Sequence, residues 1–191
     1  MTMTNILGHP PTIETERLLL RPLTMADDEA IYAYGSDPEV TKYVLFDTHN
    51  SITDSQIFLH LTLDQYANQE PAALAIELKD NKMLIGTIGY LNWHRDHKRI
   101  EIGYALSQDY WNKGYVTEAT NALIDHFFRN SDLVRIEARC RPENIGSSRV
   151  MEKAGMKFEG ILRKHVFVKG KHYDMKIYSI LRDEWERENN H

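Results

Sequence analysis

A single cysteine, Cys140, stands among 191 residues, so no internal disulfide can staple the chain, and the disulfide-rich secreted scaffolds are excluded. No apolar run approaches the roughly 20 residues that cross a bilayer as a helix. Residues 1–8 also lack the basic-then-apolar pattern of a leader. A cytoplasmic protein with no membrane partner is the expectation. Positive charge is not in excess either: 23 Lys and Arg stand against 28 Asp and Glu, a net charge of −5, with the two signs interspersed. Nucleic-acid binders ordinarily carry a net basic face, so no nucleic-acid partner is expected. With only 6 prolines and 10 glycines and no repeat, collagen-like and low-complexity classes fall away. What the chain does have is 42% hydrophobic and 27% charged residues, enough for one continuous core under a soluble surface. The length suits one domain.

The pattern changes period along the chain. Polar residues and Pro10-Pro11 make an extended lead-in over residues 1–13. Arg17-Leu18-Leu19-Leu20-Arg21 reads as a strand closed by Pro22, and Thr24 with Asp27 has capping-box spacing, which predicts a helix over residues 25–34. Ile57, Phe58, Leu61 and Tyr66 recur at helical period and predict a second helix buried along that side. Residues 73–78 and 84–91, separated by Asp80-Asn81, predict a β-hairpin. A further strand is expected over 100–106, where Ile100, Ile102, Tyr104 and Leu106 alternate with Glu101, Gly103 and Ala105. Gly114 then precedes a helix from about residue 117 with an Ala119, Ala122, Leu123, Phe127 stripe, and Val134 to Cys140 alternate again. Strand, glycine turn, helix and strand in that order form a βαβ unit, so the strands around Leu106 and Ile136 should be parallel. A short helix over 147–154 and strands near 157–168 and 173–181 complete a single α+β domain with a mixed sheet.

The stretch Tyr110-Trp111-Asn112-Lys113-Gly114-Tyr115-Val116-Thr117-Glu118-Ala119 lies between a strand and a helix. A glycine there lets successive backbone amides converge, and the helix N-terminus adds partial positive charge, which together suit a pyrophosphate. Many strand-to-helix glycines serve only sterics, so spacing alone leaves both readings open. The wider set of motifs resembles the GCN5-related N-acetyltransferase (GNAT) superfamily, in particular its ribosomal-protein N-terminal acetyltransferase (RimJ/RimL-like) branch. The matching residues are Glu14-Thr15-Glu16-Arg17-Leu18-Leu19-Leu20-Arg21-Pro22, Ile85-Gly86, Glu101-Ile102-Gly103-Tyr104, the Trp111 to Ala119 run, Asn144-Ile145-Gly146-Ser147-Ser148 and Glu152-Lys153-Ala154-Gly155-Met156. They span residues 14–185, the implied N-acetyltransferase domain, and leave 186–191 as a polar tail.

The resemblance implies a GNAT-like fold whose central sheet is flanked by helices and contains a splayed pair of parallel strands, with acetyl-CoA as the acetyl donor inserted between them. It further implies that the backbone of Tyr104, Ala105 and Leu106 pairs with the pantetheine arm. The amides of Asn112, Lys113, Gly114, Tyr115, Val116 and Thr117 would hold the pyrophosphate, and Asn144 would sit beside the cofactor. The family loop usually opens with Gln or Arg and closes with Gly or Ala, whereas Trp111 and Val116 stand there in this chain. Asn144 is equally read as a helix cap after Pro142. Many family members protonate the departing thiolate from a tyrosine just before the Glu-Lys pair, a position occupied here by Met151. Ser147 matches a serine implied for that role in the ribosomal branch, and an N-cap explains it equally. For the base, Glu101 on the strand beside the gap is the candidate, with His165 second because its pKa lies near neutrality.

His94 and His97 lack a third ligand, so no metal is expected, and Cys140 reads as a small apolar strand residue. The expected activity is direct acetyl transfer from acetyl-CoA to a primary amine, foremost a protein N-terminal α-amino group. The alternatives are a small amine such as a polyamine, amino sugar or antibiotic, and a non-catalytic acyl-CoA-binding regulatory module. The acceptor would lie over the N-terminal helices, lined by Tyr32, Tyr34, Phe46 and Tyr66, aromatics that packing explains equally well. Monomer and homodimer are both left open.

Overall fold

The computed structural model describes residues 10–189; the beginning of the lead-in and the last two residues of the polar tail lie outside the described residues. One eight-stranded sheet, in the order β1-β2-β3-β4-β5-β6-β8-β7, carries the fold. The strands are β1 (Ile13–Glu14), β2 (Leu18–Pro22), β3 (Ala73–Leu78), β4 (Leu84–His94), β5 (Arg99–Leu106), β6 (Arg135–Cys140), β7 (Lys157–Val168) and β8 (Lys171–Leu181). Neighbours are antiparallel except β5 and β6, the parallel pair that the βαβ pattern predicts. The helices are α1 (Asp28–Gly35), α2 (Pro38–Thr41), α3 (Ile52–Ala67), α4 (Tyr115–Asn130), α5 (Ile145–Lys153) and α6 (Arg182–Asn189). Residues 186–189 of the polar tail thus continue α6, and Ile13 of the lead-in pairs with Leu20.

Two apolar layers sandwich the sheet. On one face α4 and α5 bury Ala119, Leu123, Phe127 and Met151 against Ile100, Ile102, Ile136 and Tyr90. The other face is covered by α1 and α3, where Ile31, Tyr34 and Leu59 pack on Ala75, Leu84 and Ala105. The alternation of β5 therefore divides its side chains between two cores. Thr24 and Asp27 form the expected capping box, followed by a 3₁₀ turn before α1.

The expected buried side of α3 is corrected by the structure. Ile57 and Leu61 are 53% and 60% exposed, while Ser55, Leu59 and Thr62 face the sheet. Phe58 and Leu59 supply the apolar contacts of α3, and Ser55 is buried because its hydroxyl meets His49 Nδ1 at 2.8 Å. A polar residue with a partner can occupy a core position, which a purely apolar period does not reveal.

Candidate active site

The site begins where the parallel pair stops. β5 and β6 are in register from Arg99 with Arg135 to Ile102 with Ala138, and no further pairing joins them although both strands continue. Beyond Ile102 the strands diverge and open a cleft of about 840 Å³, lined on one side by Gly103 to Leu106 and on the other by Ala138 to Cys140 and α5. The Ser107 amide donates to the Ile85 carbonyl at 2.8 Å, which fixes the hydrogen-bond alternation with β4. Tyr104 and Leu106 accordingly turn their backbone groups to the gap, whereas Ala105 turns its own to Thr87 of β4. Ala105 is thereby removed from the set expected to pair with a pantetheine arm. The Leu106 carbonyl already accepts the Trp111 indole N–H at 2.8 Å, so Trp111 ties the loop to the end of β5.

The loop itself is built from backbone. Asn112 and Gly114 both adopt left-handed angles, φ 60° and 81°, and Gly114 caps α4 with no side-chain oxygen to accept its first amides. The first intrahelical bond closes from Glu118 to the Gly114 carbonyl, and the amides of residues 112–117 have no acceptor among the described residues. Two left-handed residues at the start of a sixteen-residue helix make a nest of donors with the helix dipole behind it. A Cβ at Gly114 would meet only Arg17 Nη2, at 3.5 Å, so the demand for glycine comes from φ and from the open space in front of the loop.

The turn between β1 and β2 braces the loop from behind. Arg17 donates from Nε to Glu118 Oε2 at 2.7 Å and from Nη1 to the Lys113 carbonyl at 3.1 Å, and its guanidinium lies 4.4 Å from the centre of the Tyr115 ring. Glu118 Oε1 also accepts from the Thr15 hydroxyl at 2.6 Å. Burial opposes the Glu118 charge, but the Thr15 and Arg17 donors outweigh it and hold the carboxyl below its ordinary range. Arg149 and Lys153, four residues apart on α5, line the same cleft and supply positive side chains; Lys153 belongs to the Glu152 to Met156 motif, which assigns it no role, and Arg149 belongs to no motif. Their helical spacing was the available signal.

On the α5 side, Asn144 is the N-cap: its Oδ1 accepts from the Ser147 amide at 3.0 Å. Its carboxamide still lines the cleft, so the cap and the cleft position coexist in one residue. Ser147 is not a cap. Its Oγ lies 2.9 Å from the Tyr104 phenol oxygen, and the Ser147 carbonyl lies 3.2 Å from the same oxygen. Burial, only partly offset by the bond with Ser147, pushes the Tyr104 phenol well above its ordinary pKa. Ser148 is buried, its hydroxyl 3.4 Å from Cys140 Sγ, and burial raises the Cys140 thiol. Met151 is fully buried in the core, consistent with its inability to donate a proton. The alternation of β5 pointed to Tyr104 only through its backbone; the phenol's reach to α5 needs the splay, which no local pattern contains.

Glu101 is buried and lines the opposite side of the gap. Its Oε1 accepts from Arg139 Nε at 2.8 Å, and its Oε2 accepts from Arg139 Nη2 at 2.5 Å and from Asn92 Nδ2 at 2.8 Å. A carboxylate offers about four lone-pair sites, so three are filled and one on Oε1 stays open. His165 is exposed on β7 and lies outside the residues that line the cleft. Its Nε2 stands 2.6 Å from Arg139 Nη1, and since a guanidinium only donates, that imidazole nitrogen accepts and carries no proton. The two base candidates therefore meet on one arginine, and only Glu101 faces the gap.

The far end of the cleft is apolar, formed by Val40, Val44, Leu45, Phe46 and Phe58 with Leu91 and Met175. Of the four aromatics expected there, Phe46 lines the cleft. Tyr34 is buried with its phenol 3.1 Å from Thr87 Oγ1, Tyr66 donates to the Ala73 carbonyl, and Tyr32 does not line the cleft. Tyr43 lines this end, though composition gave no reason to separate it from the other tyrosines. The turn between β7 and β8 crosses to α2: Lys169 Nζ donates to the Thr41 carbonyl at 2.5 Å, and Arg141 stacks 3.7 Å from the Tyr173 ring centre while donating to the Lys42 carbonyl at 2.9 Å. Among the described residues no group of three His, Cys, Asp or Glu is placed to hold a metal ion, and no helix is long and apolar enough to cross a membrane.

Residues 17–157 match the family model described as the acetyltransferase (GNAT) domain. The chain belongs to the GNAT acetyltransferases. Among curated relatives, the uncharacterized N-acetyltransferase YnaD of Bacillus subtilis (strain 168) is 36% identical over 91% of this chain and 98% of its own length, and YoaA of the same organism is 35% identical over 90% and 97%. The crystal structure of a GNAT-family acetyltransferase from Bacillus anthracis superposes with a TM-score of 0.82 at 34% identity, covering 91% of this chain and all of its own. The chain is thus an acetyl-CoA-dependent N-acetyltransferase, which sets aside the non-catalytic module. The ribosomal branch is a more distant relation. The ribosomal-protein-serine acetyltransferase of Escherichia coli (strain K12) is 31% identical over 52% of this chain and 56% of its own length.

Proposed function

We propose that this N-acetyltransferase acetylates a low-pKa amine, foremost the α-amino group at a protein N-terminus. The observation that carries this reading is the state of Glu101. With three of its four acceptor sites held by Arg139 and Asn92, the Glu101 carboxylate has one Oε1 site left with which to orient an amine or a water, a device suited to an amine that is already partly neutral. An α-amino group has a pKa of about 7.7 to 8.0 and is partly neutral near pH 7, whereas a lysine amine near 10.4 needs far more help. The name of the Escherichia coli relative, a ribosomal-protein-serine acetyltransferase, supports a protein acceptor.

Acetyl-CoA supplies an activated acetyl thioester. The residues of this chain divide the remaining work. The amides of residues 112–117 bind the pyrophosphate, Arg149 and Lys153 add positive charge beside it, and the Tyr104 and Leu106 backbone and Asn144 flank the pantetheine arm. Glu101 receives the amine from the apolar end of the cleft, and Ser147, across the gap, presents its hydroxyl to the departing sulfur. The microcin C7 self-immunity acetyltransferase MccE, solved in complex with acetyl-CoA and AMP, shares the fold with a TM-score of 0.81 at 24% identity.

Free-thiol release followed with a panel of acceptors at pH 7 tests the reading. N-terminal peptides blocked at lysine should turn over at least about tenfold faster than N-blocked peptides carrying a free lysine, as the difference in neutral amine implies. Faster turnover of polyamines, amino sugars or lysine side chains would replace the N-terminal acceptor with those classes.

A further inference from the structure

We infer that Tyr104 is a positioning residue for the thiol-leaving step: its phenol donates to Ser147 Oγ and thereby directs the serine O–H into the cleft. The inference rests on the reading of Ser147 as the hydroxyl that meets the departing sulfur. The geometry that carries it is a pair of hydroxyls from opposite walls of the gap, Tyr104 on β5 and Ser147 in the first turn of α5, 2.9 Å apart. A hydroxyl has one proton to give and can accept at its lone pairs. The Ser147 amide is spent on Asn144 Oδ1, and the cap leaves the Ser147 side chain free to face the gap. The phenol proton faces two acceptors on one residue, Ser147 Oγ at 2.9 Å and the Ser147 carbonyl at 3.2 Å; when it goes to the nearer Oγ, the serine proton points away from Tyr104, toward the side of the gap lined by Cys140 and the cleft.

The phenol suits this task because it stays a donor. Burial holds its proton well above the ordinary tyrosine range, so Tyr104 does not ionise at any pH at which the enzyme works. It therefore does not relay a proton. As the carbon–sulfur bond breaks, its electron pair goes to sulfur, Ser147 offers the O–H to that sulfur, and the proton lost by the amine balances the one gained by the thiol. Tyr104 keeps its own proton and stabilises negative charge as it develops on Ser147 Oγ. With Met151 buried and unable to donate, two hydroxyls contributed by a strand and a helix occupy the gap itself.

The test is a double-mutant cycle with a binding readout. Ser147→Ala should lower kcat by roughly 10², and Tyr104→Phe, which keeps the ring, by about tenfold with the KM for acetyl-CoA unchanged. The double variant should be no slower than Ser147→Ala. In calorimetry at pH 9, where a fraction of the CoA thiol is ionised, wild-type protein should prefer CoA to desulfo-CoA, and Tyr104→Phe should reduce that preference without changing desulfo-CoA affinity. Tyr104→Phe at the wild-type rate, an equal loss in both serine backgrounds, or an unchanged preference for CoA each overturns the inference. Wild-type turnover in Ser147→Ala overturns the acid reading itself, and is distinguished by leaving no step for Tyr104 to position.

Discussion

The two ends of the cleft are made of different material. At the cofactor end the working groups are backbone amides of residues 112–117, aimed by two left-handed residues and a helix start, with side chains serving as braces from behind. At the acceptor end the working groups are side chains, Glu101, Arg139 and an apolar wall, assembled from β4, β5, β6, β8 and the segment after α2. A backbone site tolerates changes of side chain as long as the conformation survives, which is why Trp111 and Val116 can depart from the usual family residues. A side-chain site changes with each substitution.

The largest effect expected from this difference is at Gly114. Gly114→Val places a β-branched residue at φ 81° and a side chain in the space before the donor nest, so acetyl-CoA affinity should fall at least 10²-fold in calorimetry with the fold retained. Equal affinity would show that the glycine is only structural and would erase the distinction between the two ends. Glu101→Gln comes next, with a rate loss of roughly 10² at pH 7 that partly recovers as pH rises and the amine deprotonates unaided, while acetyl-CoA affinity stays within about twofold. A flat pH profile would remove Glu101 from proton handling. Glu118→Gln loosens the Arg17 brace without touching the nest, and should weaken acetyl-CoA binding by only about three- to tenfold, checked by the same calorimetry. A loss as large as that of Gly114→Val would mean that the side chains, not the backbone, make the site.

The smallest effect is on stability in acid. Glu159, bound by Arg135 with burial opposing, lies at about 2, and Glu118 and Asp27 are also held below their ordinary values, in both of which burial opposes and the donor bonds prevail. Folded-state values below the unfolded ones mean that the unfolded chain binds protons first as pH falls. Stability should therefore be constant from neutrality to about pH 5 and decline between about pH 5 and 2, as urea titrations would show. A rise in stability over that window would contradict these pairs. Because Arg135–Glu159 joins β6 to β7 and Arg17–Glu118 braces the loop, that edge of the sheet and the loop should loosen together.

The same contrast explains what could be read from the sequence. The alternation of β5, the glycine after it and the helix stripe are local signals, so the βαβ unit and the loop were legible, and the parallel pair is where they placed it. Asn144 and Ser147 were legible as a pair of candidates, but which one caps α5 depends on one 3.0 Å bond. What stayed hidden is long-range. Arg139 joins Glu101 to His165 across 38 and 26 residues, and Tyr104 meets Ser147 across 43. The aromatics of the N-terminal half are open to two readings for a related reason: Tyr34 and Tyr66 are apolar enough to belong to a wall, and their hydroxyls find partners that place them in the packing.

Thermal melting with and without acetyl-CoA tests the central claim, that the splayed strands and the free amides of residues 112–117 form a donor site ready to bind. At 100 times the dissociation constant the ligand adds about 2.7 kcal/mol. For a chain of this length that corresponds to a rise of roughly 5 to 10 °C, with little or no rise in Gly114→Val. An unchanged melting temperature of the wild-type protein at millimolar acetyl-CoA, or an equal rise in Gly114→Val, would contradict the account.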